Sequence, residues 1–240
     1  VRTRSGMQDE QFSVIYVNEY YKIEKQLKIL HNVFSAGGLR GLPVVSASID
    51  DTKCILPRAL YLSELLVDED EALNVNNLTS FFEKHQEENP LCISEVRALP
   101  NMVRISLLQK LRNCIEKGGR EKAVVLQNVL TSLSRLDDSD FEEAFESLNI
   151  VDQILTADAE YRMLDGTSKN RLMEKVTVLS KKVKCSETEF ARAVMRCANA
   201  RGAAYYIVGV GSHKVMNSLG YREAKSLSKC ARVGILTAIQ

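Results

Sequence analysis

Seven apolar residues near the start of the chain, Phe12, Tyr16, Tyr20, Ile23, Leu27, Leu30 and Phe34, recur at steps of three or four. A helix turns once every ~3.6 residues, so this spacing sets all seven along one helix face, turned toward a core. Asn18, Glu19, Lys22, Glu24, Lys25 and Lys28 lie between them and read as the solvated face. Gly37-Gly38 ends the pattern, because glycine tolerates the left-handed conformation of a helix C-cap.

The same signals recur downstream. Residues 38–54 are the least regular stretch, with Gly41, Pro43 and a turn-like Ile49-Asp50-Asp51-Thr52. Pro57 fits the first turn of a helix, where its missing N–H costs nothing, and Leu60, Leu62, Leu65 and Leu66 follow it. Asn74 is placed to cap a helix with Leu78, Phe81, Phe82 and His85 inward, ending before Pro90. Ser94 starts another, and Pro100 is expected to kink or restart it. Met102, Ile105, Leu108, Leu111 and Ile115 then make a second stripe, closed by Gly118-Gly119. Leu126, Val129, Leu133 and Leu136 share a face, as do Leu172, Val176, Leu179 and Val183. Ser139 with Glu142, and Ser186 with Glu189, have capping-box spacing. Phe141, Ala144, Phe145 and Leu148 follow the first of these boxes, and Phe190, Val194 and Cys197 the second. Lys181, Lys182 and Lys184 sit at a helix end, where its dipole favours cations.

These features predict an all-α fold of antiparallel helical hairpins, packed as a bundle or short array. Gly118-Gly119 is the expected boundary between an N-terminal half, 1–118, and a C-terminal half, 119–240. One continuous helical domain is the alternative. No fixed-period repeat marks a solenoid.

The 240 residues hold 45% apolar side chains, enough for a sizeable core, and Lys+Arg 32 against Asp+Glu 31 leaves a charge of +1. That balance gives no footprint for nucleic acid and no attraction to acidic lipid. Residues 1–6 are polar and basic and do not read as a signal peptide. The longest apolar run, residues 203–210, falls well short of the roughly 20 needed to span a membrane. No direct membrane insertion is expected. Cys54, Cys92, Cys114, Cys185, Cys197 and Cys230 show no CxxC spacing, and they read as buried small hydrophobes in a reducing compartment.

Few residues suggest chemistry. Residues 205–208 have strand propensity, and Gly209-Val210-Gly211 follows them like a dinucleotide loop. The third glycine of that fingerprint is missing, since Lys214 stands in its place. The competing reading is a helix carrying two glycines for close packing. The pairs Asp50-Asp51 and Asp137-Asp138, the latter within Asp137-Asp138-Ser139-Asp140, could hold a metal and a diphosphate. Asp138 or Ser139 is equally explained as a helix start. His31, His85 and His213 are scattered, with no Ser/His/Asp or Cys/His set and no zinc spacing. We therefore expect no catalytic, cofactor-binding or metal-binding residues and no cofactor.

Several stretches resemble one enzyme family. Tyr21-Lys22-Ile23-Glu24-Lys25-Gln26-Leu27 resembles a helix near the start of cyclic β-1,2-glucan synthases, and Leu56-Pro57-Arg58-Ala59-Leu60-Tyr61-Leu62-Ser63-Glu64-Leu65 resembles the family's next segment. Residues 81–112 resemble the family's next block, with Glu95, Ala98-Leu99-Pro100, Met102, Arg104 and Leu107-Leu108 matching in order. Phe190-Ala191-Arg192-Ala193 and Gly202-Ala203-Ala204-Tyr205-Tyr206-Ile207 resemble later segments. Arg97 replaces the family's Trp, and Gly202 and Ala204 replace its His and Gly.

The resemblance implies a very large bacterial inner-membrane enzyme that joins glucose from UDP-glucose. This stretch would be a helical region ahead of the glycosyltransferase and phosphorylase-like domains. It implies a non-catalytic cytoplasmic domain at the membrane's inner face, with scaffolding, regulatory or partner-binding work. Its partners would be the other domains of the parent enzyme or another protein, and not nucleic acid. The competing expectation is a free-standing helical interaction module.

Overall fold

The computed structural model describes residues 2–37, 40–49, 52–68, 71–117, 122–198 and 201–221. Side chains in the first half of the first helix, up to residue 16 and at residue 18, lie outside the description. Among the described residues the fold is mainly α, with twelve helices and one two-stranded sheet. The chain forms two compact units, residues 1–153 and 154–240.

The first unit holds α1 (Arg2–Ser35), β1 (Val44–Ile49), β2 (Thr52–Pro57), α2 (Arg58–Val67), α3 (Val75–Glu88), α4 (Ile93–Lys117), α5 (Lys122–Arg135) and α6 (Ser139–Ser147). The unit boundary falls within α7 (Ile150–Leu155). Helix α4 is central and packs against α1, α2, α5 and α6. It is accordingly buried on several faces, with Leu99, Met102, Val103, Leu107 and Leu111 all inside. Pro100 stands within α4, which runs on through it rather than restarting. Leu78 and Phe82 of α3, and Leu126 and Leu133 of α5, complete a core. Each such burial stabilises the fold by about 1.5–3 kcal/mol.

Helix α5 follows Gly118-Gly119, a pair outside the described residues, and packs on α1 and α4. The compact units therefore divide after Gln153 and not at residue 118. The helices on either side of the pair, α4 and α5, pack on each other.

Three further expectations meet a different structure. Residues 44–57 form an antiparallel hairpin with Val45 opposite Leu56 and Ala47 opposite Cys54. Its connection lies between Ile49 and Thr52, where the turn was read; Asp50 and Asp51 are outside the described residues. The apolar stripe of α1 is split. Ile23 and Leu30 are buried, while Tyr20, Leu27 and Phe34 are 52%, 53% and 55% exposed. Alternating steps of three and four draw two adjacent rows on a helix, and α4 and α5 cover only one. Phe12 and Tyr16 side chains are not described. At α6 the N-cap is Asp138, with no side-chain capping bond, so the Ser139–Glu142 box is not made. Ser139 Oγ lies 3.4 Å from Asp140 Oδ1 instead.

The second unit holds α8 (Ala159–Arg162), α9 (Gly166–Val183), α10 (Glu187–Cys197), α11 (Ala203–Ile207) and α12 (Ser212–Ser218). The starts of α8, α9 and α10 are capped by the Asp158, Asp165 and Ser186 side chains, each accepting from the backbone N–H three residues on. Tyr161, Val176, Phe190, Val194, Ala203, Ile207 and Val215 form its interior. Lys184 ends α9 with φ of 63°, a left-handed position usually given to glycine. The near-neutral total hides two units of opposite sign. Residues 1–153 carry 17 basic and 24 acidic side chains, and 154–240 carry 15 and 7.

Candidate functional site

Arg58, Glu95, Gln26 and Arg104, from the motifs that lie in the first unit, meet at two polar centres there. Glu95 lies in the first turn of α4 and is fully buried. Its Oε1 accepts from Arg58 Nε at 2.7 Å, and its Oε2 accepts from Arg58 Nη2 at 2.5 Å. The same Oε2 accepts from the Cys92 N–H at 2.9 Å, the return bond of a helix start. Arg58 opens α2 and also donates through Nη2 to the Pro90 carbonyl at 3.0 Å. This planar fork-to-fork pairing is specific to guanidinium and carboxylate. Hydrogen bonding to Glu95 raises the Arg58 pKa above its ordinary value.

The second centre joins α1, α4 and the turn after α5. Arg104 is buried and donates through Nε to Gln26 Oε1 at 2.5 Å, through Nη1 to Asn101 Oδ1 at 2.9 Å, and through Nη2 to Asp137 Oδ1 at 3.0 Å. Lys25 Nζ lies 2.7 Å from Asp137 Oδ2. Gln26, also buried, donates to Asp137 Oδ2 at 3.3 Å. Burial pushes the Asp137 carboxyl up, but the Lys25 hydrogen bond and the charges of Lys25 and Arg104 outweigh it and hold the pKa below the usual range.

Both centres use their donors and acceptors on each other, so chemically they lock helices together. Beside the second centre an open groove of about 470 Å³ runs between α1 and α5, lined by Glu19, Lys22, Gln127, Thr131, Arg135 and Asp138 among others. Much of its polar lining is already bonded. Lys22 pairs with Glu19 at 2.6 Å, Arg135 donates to the Leu73 carbonyl at 2.9 Å, and Ser134 to the Leu130 carbonyl at 3.0 Å.

The residues that suggested chemistry fall elsewhere. Residues 203–207 are helical, so no strand leads into Gly209-Val210-Gly211. The glycines form the turn between α11 and α12. A Cβ on Gly209 would meet the Tyr205 carbonyl oxygen at 2.7 Å, and one on Gly211 would meet the Tyr205 ring at 2.7 Å. The glycines serve close packing, though in a turn rather than inside a helix. Asp137 is an ion-pair partner and Asp138 is the α6 N-cap. His85 Nδ1 lies 2.8 Å from the Phe81 carbonyl oxygen, with its ring against the Phe81 ring. Among the described residues no three His, Cys, Asp or Glu side chains gather as a metal site. The five described cysteines form no disulfide with one another and are half-buried rather than buried. Burial raises the Cys92 and Cys185 thiols above their ordinary value, away from the reactive thiolate. Cys230 lies outside the described residues.

Gln26 is the residue that sequence reading missed. It sits between Ile23 and Leu30 on the buried row of α1, and a polar residue in that row signals a buried partner.

No family model matches the chain. The chain is similar to the cyclic beta-(1,2)-glucan synthase NdvB of Rhizobium meliloti (strain 1021), at 28% identity over a 163-residue alignment covering 63% of this chain and 5% of that protein. The chain thus spans about a twentieth of that relative's length. That relative is a cyclic β-1,2-glucan synthase, the kind of enzyme that the motifs at the two polar centres resemble.

Proposed function

We propose that the chain is a non-catalytic helical domain of a larger cyclic β-1,2-glucan synthase-like enzyme, where it supports, positions or regulates the glycosyltransferase. The observation that carries this reading is the use made of the motif residues. Arg58, Glu95, Gln26 and Arg104 lie in the stretches that resemble the family, and each is bonded to another segment of the fold. A carboxylate that already accepts three hydrogen bonds inside a core has little capacity left to serve as a base or to hold a metal. Similarity to a small part of a much longer enzyme supports the same reading. The domain would sit in the cytoplasm at the inner face of the membrane. No described helix is long and apolar enough to cross a membrane.

Purified chain incubated with UDP-glucose and a divalent metal is expected to show no release of UDP. Turnover by the chain alone would overturn the reading. Cell fractionation of the complete gene product tests the location, with recovery in the membrane fraction expected. A reading frame that ends near Gln240 would replace this proposal with a free-standing helical interaction module.

A further inference from the structure

Helix α1 is covered on one flank only. Ile23, Gln26 and Leu30 are buried, while Tyr20, Leu27 and Phe34 remain more than half exposed. These three are seven residues apart, so they form one row that climbs ~21 Å along the helix at about 1.5 Å per residue. Val17, 71% exposed, extends the patch toward the N-terminus. Single exposed apolar side chains are ordinary, but an aromatic and aliphatic row along one helix marks an interaction surface.

The polar residues beside the row select its occupant. Counting from Leu27, an aromatic ring lies seven residues to either side, at Tyr20 and Phe34. An acid, Glu24, lies three before it, and basic side chains, Lys28 and His31, lie one and four after it. The apolar pattern repeats across Leu27 while the charge pattern inverts. A parallel second copy would set Glu24 against Glu24 and Lys28 against Lys28. An antiparallel copy sets Leu27 against Leu27, Tyr20 against Phe34, and Glu24 beside Lys28 and His31, in both directions at once. All these side chains are exposed, and Glu24 and Lys28 already meet at 2.9 Å along their own helix.

We propose that this flank of α1 is a homodimer interface, packed antiparallel on α1 of a second copy about a two-fold axis near Leu27. Such an isologous contact closes on itself and leaves no free patch to propagate. The Leu27 pair at its centre is flanked on both sides by an aromatic pair, Tyr20 against Phe34, and aromatic anchors are common in interfaces. The row is short against the roughly 800 Å² per partner of a standard interface, so the pair forms reversibly.

Sedimentation velocity of the full chain in reducing buffer, from about 1 to 100 μM, tests the proposal. The sedimentation coefficient is expected to rise with concentration. Leu27→Lys is expected to abolish that rise with unchanged helix content and melting temperature, because the position is solvent-facing. Glu24→Lys alone, and Lys28→Glu with His31→Glu, each set like charges together and are expected to weaken pairing about tenfold. Mixing these two variants restores opposite charges at both contacts and is expected to regain wild-type association. A wild-type chain that stays monomeric throughout overturns the proposal. So does a Leu27→Lys chain that pairs like wild type, or a mixture no stronger than either variant alone.

Discussion

In residues 1–153 the buried polar side chains bond over long stretches of sequence: 37 residues from Arg58 to Glu95, 62 from Gln86 to the Leu148 carbonyl, and 78 from Gln26 to Arg104. In residues 154–240 the capping bonds span three residues, at Asp158, Asp165 and Ser186, and Thr177 reaches Glu187 across ten. A local cap forms as its helix forms and costs only that helix when lost. A long-range ion pair exists only once distant segments have met, and its loss strands a charge inside the core. The first unit should therefore be sensitive at single buried polar atoms, and the second at packing and backbone conformation. Hydrogen exchange read peptide by peptide separates the two units.

The largest effect is expected at Glu95. Glu95→Ala leaves the half-buried Arg58 guanidinium without its carboxylate partner and should destabilise the first unit by about 3 kcal/mol. Replacing both, as Arg58→Met with Glu95→Leu, should recover most of that loss, because the stranded charge is gone. Urea melts of the single and double variants check this. If the second unit loses as much protection as the first, the comparison fails.

Gly211→Ala reverses the location. Its new Cβ would press on the Tyr205 and Tyr206 rings, at 2.7 and 2.8 Å, and should cost about 1–3 kcal/mol in the second unit. Faster exchange is expected in α11 and α12 peptides, with α4 peptides unchanged.

A smaller effect is expected at Asp137, and it is pH-dependent. The folded-state pKa of Asp137 is depressed, so its contribution is full above the ordinary Asp value and is lost as pH falls through the folded value. Asp137→Asn should lower the neutral value toward the acid one and so flatten this part of the acid limb of a stability–pH curve. An unchanged limb would show that the carboxylate is solvated as freely in the native state as in the unfolded chain.

The smallest change is a gain. Lys184 holds a left-handed φ of 63° at an exposed helix end. Lys184→Gly should stabilise the second unit by up to about 1 kcal/mol, read as a higher melting temperature.

The helices were legible because their signals are local. Asn74 caps α3 by accepting from the Asn77 N–H at 2.9 Å, and Ser186 caps α10 by accepting from the Glu189 N–H at 3.1 Å. Leu126, Val129, Leu133 and Leu136 are all buried, as their spacing requires. The hairpin was less legible. Val44 and Ile55 are exposed, 62% and 77%, so apolar residues stand at solvated positions and its strands lack a clean alternation of apolar and polar residues. The resemblance drew attention to Glu95 and Arg104, but neither partner could be read from spacing, since 37 and 78 residues intervene.

By itself the sequence determined where helices begin and end and that most of them are amphipathic, because capping and periodicity act within a few residues. It also marked the motifs that resemble stretches of glucan synthases. Tertiary structure alone decided which row of α1 is buried and which is left uncovered, since that depends on where α4 and α5 lie. It also decided that Arg58 meets Glu95 and Arg104 meets Gln26 and Asp137, and that α5 joins the first unit. Burial and long-range charge pairing belong to neighbours in space, and one-dimensional spacing carries no record of them.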